Sequence, residues 1–447
     1  MVDARIDVIR RLARRNAWSA LGRTLTKSRS EDIAVAMRHL APALQRQVFT
    51  AVTEDEKAAE ILPMLEESEA MSLIEGMEFA RLLSLLTLLP VDDEAYIISL
   101  LPDALREKVL GALKGEEKTQ VEDLLSWPEE SAGGLMHPAA FRLNEDQNCR
   151  DAIAALQDAD DLEMVFYLYV ENDQGQLVGV TSLRMLLTNA PSKPLRELMT
   201  TDIITVAPET DQEEVARIVS RYDLLAVPVV APDRRMLGIV TVDDIVDVIK
   251  DEAAEDMMLM AGVGDDLEPH SRSVMHSYKQ RLSWLMITLF GGIGMAELIG
   301  VFETTLQKEA VLAGFIPVML GTGGNVGTQA ATIAVRNIAT GHANSQSLLV
   351  MLFREARVGA LLGTSFAVVL GGYAVARWSE QPMLGLSIAI ALVVIVTAAA
   401  TLGMLVPITL NRLGIDPAVA TGPFVTTAID LIAILIYFSV CGALLGL

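Results

Sequence analysis

The chain has 447 residues, of which 51% are hydrophobic and 5% aromatic, and it contains two cysteines. Its formal net charge at pH 7 is −23, and all of it lies in residues 1 to 280, because seven basic and seven acidic residues cancel from residue 281 onward. So acidic a region disfavours nucleic acid and anionic lipid surfaces as partners and favours cations. Cys149 and Cys441 lie far apart, which indicates neither a disulfide framework nor a thiolate metal site.

Residues 1 to 130 are predicted to form an all-α cytoplasmic domain. Apolar residues recur there at spacings of three and four, the period of amphipathic helices. Pro42, Pro63, Pro90 and Pro102 are predicted to stop helices. A stack of short helical hairpins and a simple helical bundle both fit this pattern. The N-terminus carries charges but no apolar core of a signal peptide, so this region is expected to remain in the cytoplasm.

From residue 131 the pattern changes to α/β, with short apolar strands alternating with helices. The first unit has strands at 164–170 and 177–181 and a helix from Ser182; the second has strands at 224–230 and 237–241 and a helix from Val242. The repeated order resembles a tandem pair of CBS domains. We predict CBS domains at 131–195 and 196–250, followed by a connecting helix, the plug helix, at 251–280.

Residues 281–447 are predicted to form a transmembrane domain of five helices. Five apolar segments, near 283–301, 310–335, 358–376, 383–410 and 417–445, are each long enough to cross the roughly 30 Å hydrocarbon layer. With the N-terminus inside, Arg336, Arg354 and Arg357 lie in a cytoplasmic loop, as the positive-inside rule requires. Five spans then place the C-terminus outside a multi-pass protein of the cell membrane.

Asp430 is the most informative acid, because it lies well inside the fifth apolar segment. A carboxylate at that depth costs on the order of a few kcal/mol, so it usually faces a water-filled path or a partner. Thr426, Thr427 and backbone oxygens could complete a site for hydrated Mg²⁺, which prefers octahedral oxygen ligands. A structural, hydrogen-bonding acid is the alternative. Glu297 is a weaker candidate, and Glu303 and Glu309 fit an interfacial position.

The second apolar segment contains Gly321-Thr-Gly-Gly-Asn-Val-Gly327, where a continuous helix would avoid so many glycines. Irregular backbone at membrane depth is tolerated where it lines a cavity, and Asn325, Thr328 and Gln329 would add oxygen atoms there. Close packing of helices through small residues is the competing interpretation.

The segments 317–329 (PVMLGTGGNVGTQ) and 416–430 (DPAVATGPFVTTAID) resemble the two characteristic stretches of the MgtE family of magnesium channels. The order of predicted parts agrees with that family over essentially the whole chain. The resemblance implies a homodimer with the ion path at the subunit interface and with Asp430 as the pore aspartate. Gly422 stands where some members carry asparagine.

Acidic residues are dense from the second CBS unit into the connecting helix, and two carboxylates about 6 Å apart repel by roughly 3 kcal/mol at an effective dielectric near 20. A solvated acidic face would explain them equally well from composition. The resemblance implies instead that cytoplasmic Mg²⁺ binds between the soluble parts and favours the closed pore. That regulatory role is carried to Asp211, Asp223, Asp244, Asp247, Glu252, Glu255 and Asp256.

ATP is a second candidate regulator, because CBS domains often bind adenosine compounds through a Ser/Thr-x-x-Asp pattern. The second unit retains Thr241 and Asp244, whereas the first has Met185 where related sequences carry aspartate, which weakens the case for ATP. Two other functions stay open: a carrier that exchanges a cation for protons at Asp430, and a membrane-anchored sensor. An enzyme is disfavoured, since no nucleophile and base, phosphate loop or His-rich motif stands out.

Overall fold

The structure is a computed structural model that describes residues 2–159, 166–263, 274–339, 347–420 and 422–447. The chain divides into two compact units, Met1–Lys250 and Asp251–Leu447. The start of the predicted strand at 164 and the middle of the predicted connecting helix, 264–273, lie outside the described residues.

Residues 2–125, which the structure describes throughout, form ten short helices, as the apolar spacing predicts. They are α1 (Val2–Arg14), α2 (Trp18–Leu25), α3 (Ser30–Arg38), α4 (Pro42–Thr50), α5 (Asp55–Ile61), α6 (Glu67–Ile74), α7 (Phe79–Leu86), α8 (Val91–Leu100), α9 (Asp103–Ala112) and α10 (Gly115–Leu125).

A helix ends shortly before each of the four prolines, as predicted, and three of these prolines also begin the next helix. Pro42 is the first residue of α4, and Pro90 and Pro102 directly precede α8 and α9. A proline at a helix start lacks only an N–H that would have no partner within the helix, and its φ angle already suits the helix. Pro63 follows the C-cap residue of α5 and does not begin the next helix, α6.

The next segment has the predicted alternation of strands and helices. Its elements are α11 (Ala132–Leu135), β1 (Arg142–Asn144), α12 (Cys149–Asp158), β2 (Tyr167–Glu171), β3 (Leu177–Ser182), α13 (Leu183–Thr188), α14 (Gln212–Tyr222), β4 (Ala226–Val230), β5 (Met236–Thr241) and α15 (Val242–Met260), with a 3₁₀ helix at Leu195–Glu197.

Two equivalent hairpins form the sheets of this segment. Strand β2 pairs antiparallel with β3 and parallel with β1, and β4 pairs antiparallel with β5. Each hairpin has a register shift near its turn, at Val170/Glu171 in the first and Val229/Val230 in the second. The shared irregularity supports the interpretation of two similar units.

The buried cores of unit 1 are distributed unevenly. One continuous cluster runs from Ile9 through the helices of the N-terminal segment to Val227, Val240 and Ile245 of the second hairpin and α15. The first hairpin has its own cluster, which includes Leu143 and Leu168. The second hairpin therefore shares its core with the helical segment.

Unit 2 contains the end of α15 and the apolar helices. These are α16 (Val274–Val301), α17 (Glu303–Lys308), α18 (Ile316–Ala339), α19 (Leu348–Arg377), α20 (Pro382–Arg412) and α21 (Pro423–Leu445), with 3₁₀ turns at Ala310–Phe315 and Ala418–Ala420. Among the described residues five segments are long and apolar enough to span a membrane: 281–301, 310–339, 348–377, 382–412 and 423–445. The third begins at Leu348 rather than near residue 358, so its first turns include Arg354 and Arg357.

The glycine-rich segment is a continuous α-helix, α18, so the expectation of irregular backbone was wrong. Its glycines allow close packing instead. A Cβ added to Gly327 would lie 3.4 Å from the Ala399 carbonyl oxygen, and one added to Gly403 of α20 would overlap the Gly327 carbonyl oxygen. Contact at this distance offsets the low helix propensity of glycine, because apolar spans associate mainly through close van der Waals packing.

Candidate cation sites

Asp430 lies about two turns after the start of α21, on the side that faces α18. A Cβ added to Gly324 would lie 3.6 Å from Oδ1 of Asp430 and 3.5 Å from the Thr426 methyl group. Because Gly324 has no side chain, the backbone of α18 alone faces this side of the carboxylate. Among the described residues, no Lys, Arg or His side chain forms an ion pair with Asp430. A bound cation can offset the energetic cost of a half-buried carboxylate in this setting.

The threonines near Asp430 bond to their own helix. Thr426 Oγ1 donates to the Gly422 carbonyl oxygen at 3.3 Å, and Thr427 Oγ1 donates to the Pro423 carbonyl oxygen at 2.7 Å. Thr427 also contacts α16, where an added Cβ at Gly291 would overlap its methyl group. Each hydroxyl oxygen keeps acceptor capacity towards a hydrated ion.

Asn325 is exposed and lies on a different side of α18 from Gly324. With Thr322 and Gln329 it lines an open groove of about 530 Å³, closed on the other side by Leu362 and Phe366 of α19. Within the single chain the structure therefore does not bring Asn325 beside Asp430. Instead, Thr322, Asn325 and Gln329 place hydroxyl and amide groups along the groove between α18 and α19.

The three glutamates near the first span lie apart from Asp430 along the chain. Glu297 is exposed in the last turns of α16, and Glu303 begins α17, where Gln307 donates to it at 3.1 Å. Glu309 follows α17 directly. The expectation that Glu303 and Glu309 are interfacial agrees with their position outside the long apolar helices.

The last part of α15 packs against the end of unit 2 at which α18 finishes and α21 begins. Leu259 shares a buried cluster with Val335 and Ala418, and an added Cβ at Gly262 would overlap the ring of Pro423. Pro423 precedes Asp430 by about two helical turns. The chain after α15 therefore contacts the start of the helix that carries the buried acid.

Asp256 faces carboxylates at this junction. Burial raises its pKa to about 6, and the charges of Asp416 and Glu252 add to the shift. Asp416, which the sequence analysis used only as the boundary of a characteristic stretch, is held in place because its Oδ1 accepts from the Ala418 N–H at 2.7 Å. A cation near Asp256 would stabilise its charged form, although no three acidic, histidine or cysteine side chains of the described residues are arranged to hold a metal ion.

The other predicted regulatory acids lie in unit 1 or in α15, and several have local partners. Asp211 caps α14 by accepting from the Glu213 N–H at 2.9 Å, and Asp223 ends that helix in the left-handed conformation with φ of 51°. Asp247 pairs with Lys250 at 2.7 Å on an exposed face. These contacts explain part of the acid density without a metal.

Asp244 binds a histidine that the sequence analysis missed. His137 Nε2 lies 2.9 Å from Asp244 Oδ2, and His137 Nδ1 lies 2.9 Å from Asp92 Oδ1 on α8. Burial acts to raise the pKa of Asp244, but the hydrogen bonds from His137 and Thr241 outweigh it and lower the pKa below its ordinary value. His137 thus connects the helical segment to the second hairpin unit, and Asp244, which belongs to the pattern considered for ATP, already has a hydrogen-bond partner.

No sequence signal could have identified this contact. His137 and Asp244 are separated by 107 positions, and five scattered histidines show no ligand spacing. Glu94 was also missed, because it is buried where α8 packs against α10, and the sequence does not show that contact.

The sequence matches three family descriptions. They are "Divalent cation transporter" over residues 316–440, "MgtE intracellular N domain" over 28–130 and "CBS domain" over 195–251.

Curated relatives match most of the chain. The magnesium transporter MgtE of Bacillus subtilis is 34% identical over 353 residues, which cover 79% of this chain and 78% of that protein. The magnesium transporter MgtE of Thermus thermophilus is 36% identical over 341 residues, or 76% and 75% of the two chains.

A crystal structure described as the soluble part of a magnesium transporter superposes with a TM-score of 0.50 at 27% identity. It covers 57% of this chain and 100% of that one.

Proposed function

The chain belongs to the MgtE family of magnesium transporters, which are not enzymes, and from this premise we propose that its membrane region is a channel through which hydrated Mg²⁺ passes Asp430. The observation that carries the proposal is the half-buried Asp430 carboxylate, which faces Gly324 of α18, where no side chain covers it. Mg²⁺ dehydrates reluctantly, so a carboxylate that contacts its water shell, rather than a closed cage of ligands, suits a conducting path.

Three groups take distinct roles in this path. Asp430 attracts the cation and accepts hydrogen bonds from its waters, and Thr426 offers a hydroxyl oxygen one turn away. Asn325, which is exposed in the single chain, would reach the path from the facing surface of a second subunit. The proposal therefore includes a homodimer with the path between its subunits, because a polar groove at membrane depth needs a partner other than lipid.

The proposed orientation places the N-terminus and the soluble unit in the cytoplasm and the C-terminus outside. It is supported by Arg336 at the C-terminal end of α18 and by Arg354 and Arg357 in the first turns of α19. The positive-inside rule assigns these basic residues to the cytoplasmic side.

Gating would act through the junction between α15 and the membrane helices. The charges of Asp416 and Glu252 both repel that of Asp256 there, while Leu259 and Gly262 pack on the start of α21. Cytoplasmic Mg²⁺ bound among the carboxylates would hold the end of α15 against α21 and favour the closed state. Loss of the ion would let repulsion separate them, which is feedback by population shift.

The test is Mg²⁺ uptake into liposomes by the parent and by Asp430→Asn, with Mg²⁺ varied on the side of the soluble unit. We expect uptake to fall at least tenfold in the variant, and Mg²⁺ on that side to suppress uptake by the parent. Glu380→Gln is the matched control, since it removes a carboxylate from an exposed position between α19 and α20.

Full uptake by Asp430→Asn would refute the pore role of that residue. Uptake that requires a pH gradient would favour a cation and proton exchanger, and no uptake by the parent at any Mg²⁺ concentration would favour a sensor.

A further inference from the structure

The first thirty residues of the chain reverse the charge of the rest of the soluble region. They contain eight basic and two acidic residues, whereas the whole chain has 58 acidic and 35 basic ones. Half of the eight basic residues, Arg10, Arg11, Arg14 and Arg15, lie at the end of α1. A local excess of positive charge in an acidic protein creates a surface that attracts anions.

The rest of α1 is already used for packing. Ile9 and Ala13 are fully buried in the main core, and Ile6 and Leu12 pack against it. Arg11, Arg14 and Arg15 are exposed on the other side of the helix. Because its apolar face is covered, α1 cannot insert into a bilayer as an amphipathic helix does, and its free side offers charge alone.

The arginines surround an open cleft of about 400 Å³ that Asp7 also lines. Asp7 forms an exposed ion pair with Arg10 at 3.5 Å, so one carboxylate faces four guanidinium groups. Four guanidinium groups and one carboxylate leave an excess of positive charge at this cleft, which a bound anion would offset.

The dipole of α1 does not account for the cluster. Basic residues in the last turn of a helix stabilise its carbonyl end, and Arg11 and Arg14 lie in that turn. One or two positive charges suffice for this effect, whereas arginines at i and i+4, such as Arg10 and Arg14, also repel each other.

We propose that Arg10, Arg11, Arg14 and Arg15 form a binding site for a phosphate group. Guanidinium forks match phosphate oxygens in bidentate geometry, which a spherical anion such as chloride does not exploit. The phosphate would belong either to a soluble phosphorylated molecule or to an anionic lipid headgroup. The site is separate from the acidic cation sites and does not depend on the proposed channel function.

The test uses the full-length protein in phosphatidylcholine nanodiscs and the variant Arg11→Gln/Arg14→Gln/Arg15→Gln. Pyrophosphate binding in Mg²⁺-free buffer, followed by calorimetry, probes the soluble source. Hydrogen exchange of residues 5–15, compared between discs with and without phosphatidylglycerol, probes the lipid source. The control Arg150→Gln/Arg184→Gln/Arg221→Gln removes the same charge from exposed positions elsewhere, and thermal unfolding checks that each variant folds.

We expect one arm to show binding that weakens about 100-fold in the site variant, weakens with added salt, and is unchanged in the control. A pyrophosphate signal would assign the site to a soluble ligand, and protection only in phosphatidylglycerol discs would assign it to lipid. Equal effects of the two triple variants in both arms, or binding in neither arm, would overturn the proposal.

Discussion

The side chain of Glu94 is 1% exposed on α8, and its Oε1 atom has no hydrogen-bond partner among the described residues. Burial, and then the charge of Glu117 on α10, raise its pKa from 4.5 to about 8. The folded protein therefore keeps a proton that the unfolded chain loses above pH 4.5. Raising the pH from about 4.5 to about 8 lowers the free energy of unfolding, and the whole penalty is present above pH 8.

Glu94→Gln should remove most of this pH dependence. At pH 9 we expect the variant to be more stable than the parent by about 1–3 kcal/mol, since a neutral amide carries no buried charge. Urea unfolding followed by circular dichroism at pH 5, 7 and 9 measures the change. Glu107→Gln on the exposed side of α9 is the control, and an equal gain in that variant would contradict the explanation.

At the scale of single residues, the candidate acids could be predicted from the sequence, but the side chains that contact them could not. The depth of Asp430 followed from the apolar residues around it, because a carboxylate in a span is visible from local sequence alone. The bond between His137 and Asp244 joins residues 107 positions apart, so only the fold could reveal it.

Gly403 of α20 lies against the backbone of α18, where an added Cβ would overlap the Gly327 carbonyl oxygen. A backbone atom cannot rotate aside as a side chain can. Gly403→Ala should therefore force α18 and α20 apart and destabilise unit 2 by about 1–3 kcal/mol.

Thermal unfolding in detergent and Mg²⁺ uptake would both report this change. Gly292→Ala on α16 is the matched control, because an added Cβ there meets no atom within 4 Å. An unchanged Tm in Gly403→Ala would mean that α18 and α20 pack less closely than described.

The apolar segments were long enough to predict five spans, and the structure has five among its described residues; the third begins ten residues earlier and the fifth six residues later than predicted. The form of α18 could not be derived, because a run of glycines fits both a broken helix and a tightly packed one. The neighbouring helices decide between the two forms. Here Gly403 of α20 and Ile429 of α21 pack against Gly327 of α18.

At the scale of the whole molecule, Mg²⁺ should stabilise the protein through the acids at the end of α15. We expect Tm to rise with Mg²⁺ in the parent and to rise less in Glu252→Gln/Glu255→Gln/Asp256→Asn, because an ion that binds only the folded state adds about 2.7 kcal/mol at 100 times its Kd. The measurement is thermal unfolding of the intact protein across an Mg²⁺ series.

The control Glu107→Gln/Glu116→Gln/Asp123→Asn removes three exposed acids from α9 and α10. An equal loss of Mg²⁺ stabilisation in this variant would indicate general screening of negative charge rather than a site at α15.

The order of parts along the chain followed from the sequence, because a change of hydrophobic period separates helices, hairpin units and spans without reference to three-dimensional contacts. Which segments share a buried hydrophobic core did not follow from the sequence. Local patterns specify which face of an element is apolar, and they leave open which other face covers it.

The shared core of unit 1 also determines how the chain can be divided for study. A fragment ending near residue 130 would leave Val48, Ile97 and their neighbours without the hairpin residues Val227 and Val240 that complete the same cluster. The break would create a new apolar surface on an isolated piece, which favours self-association. Residues 1–250, expressed together, keep that cluster whole.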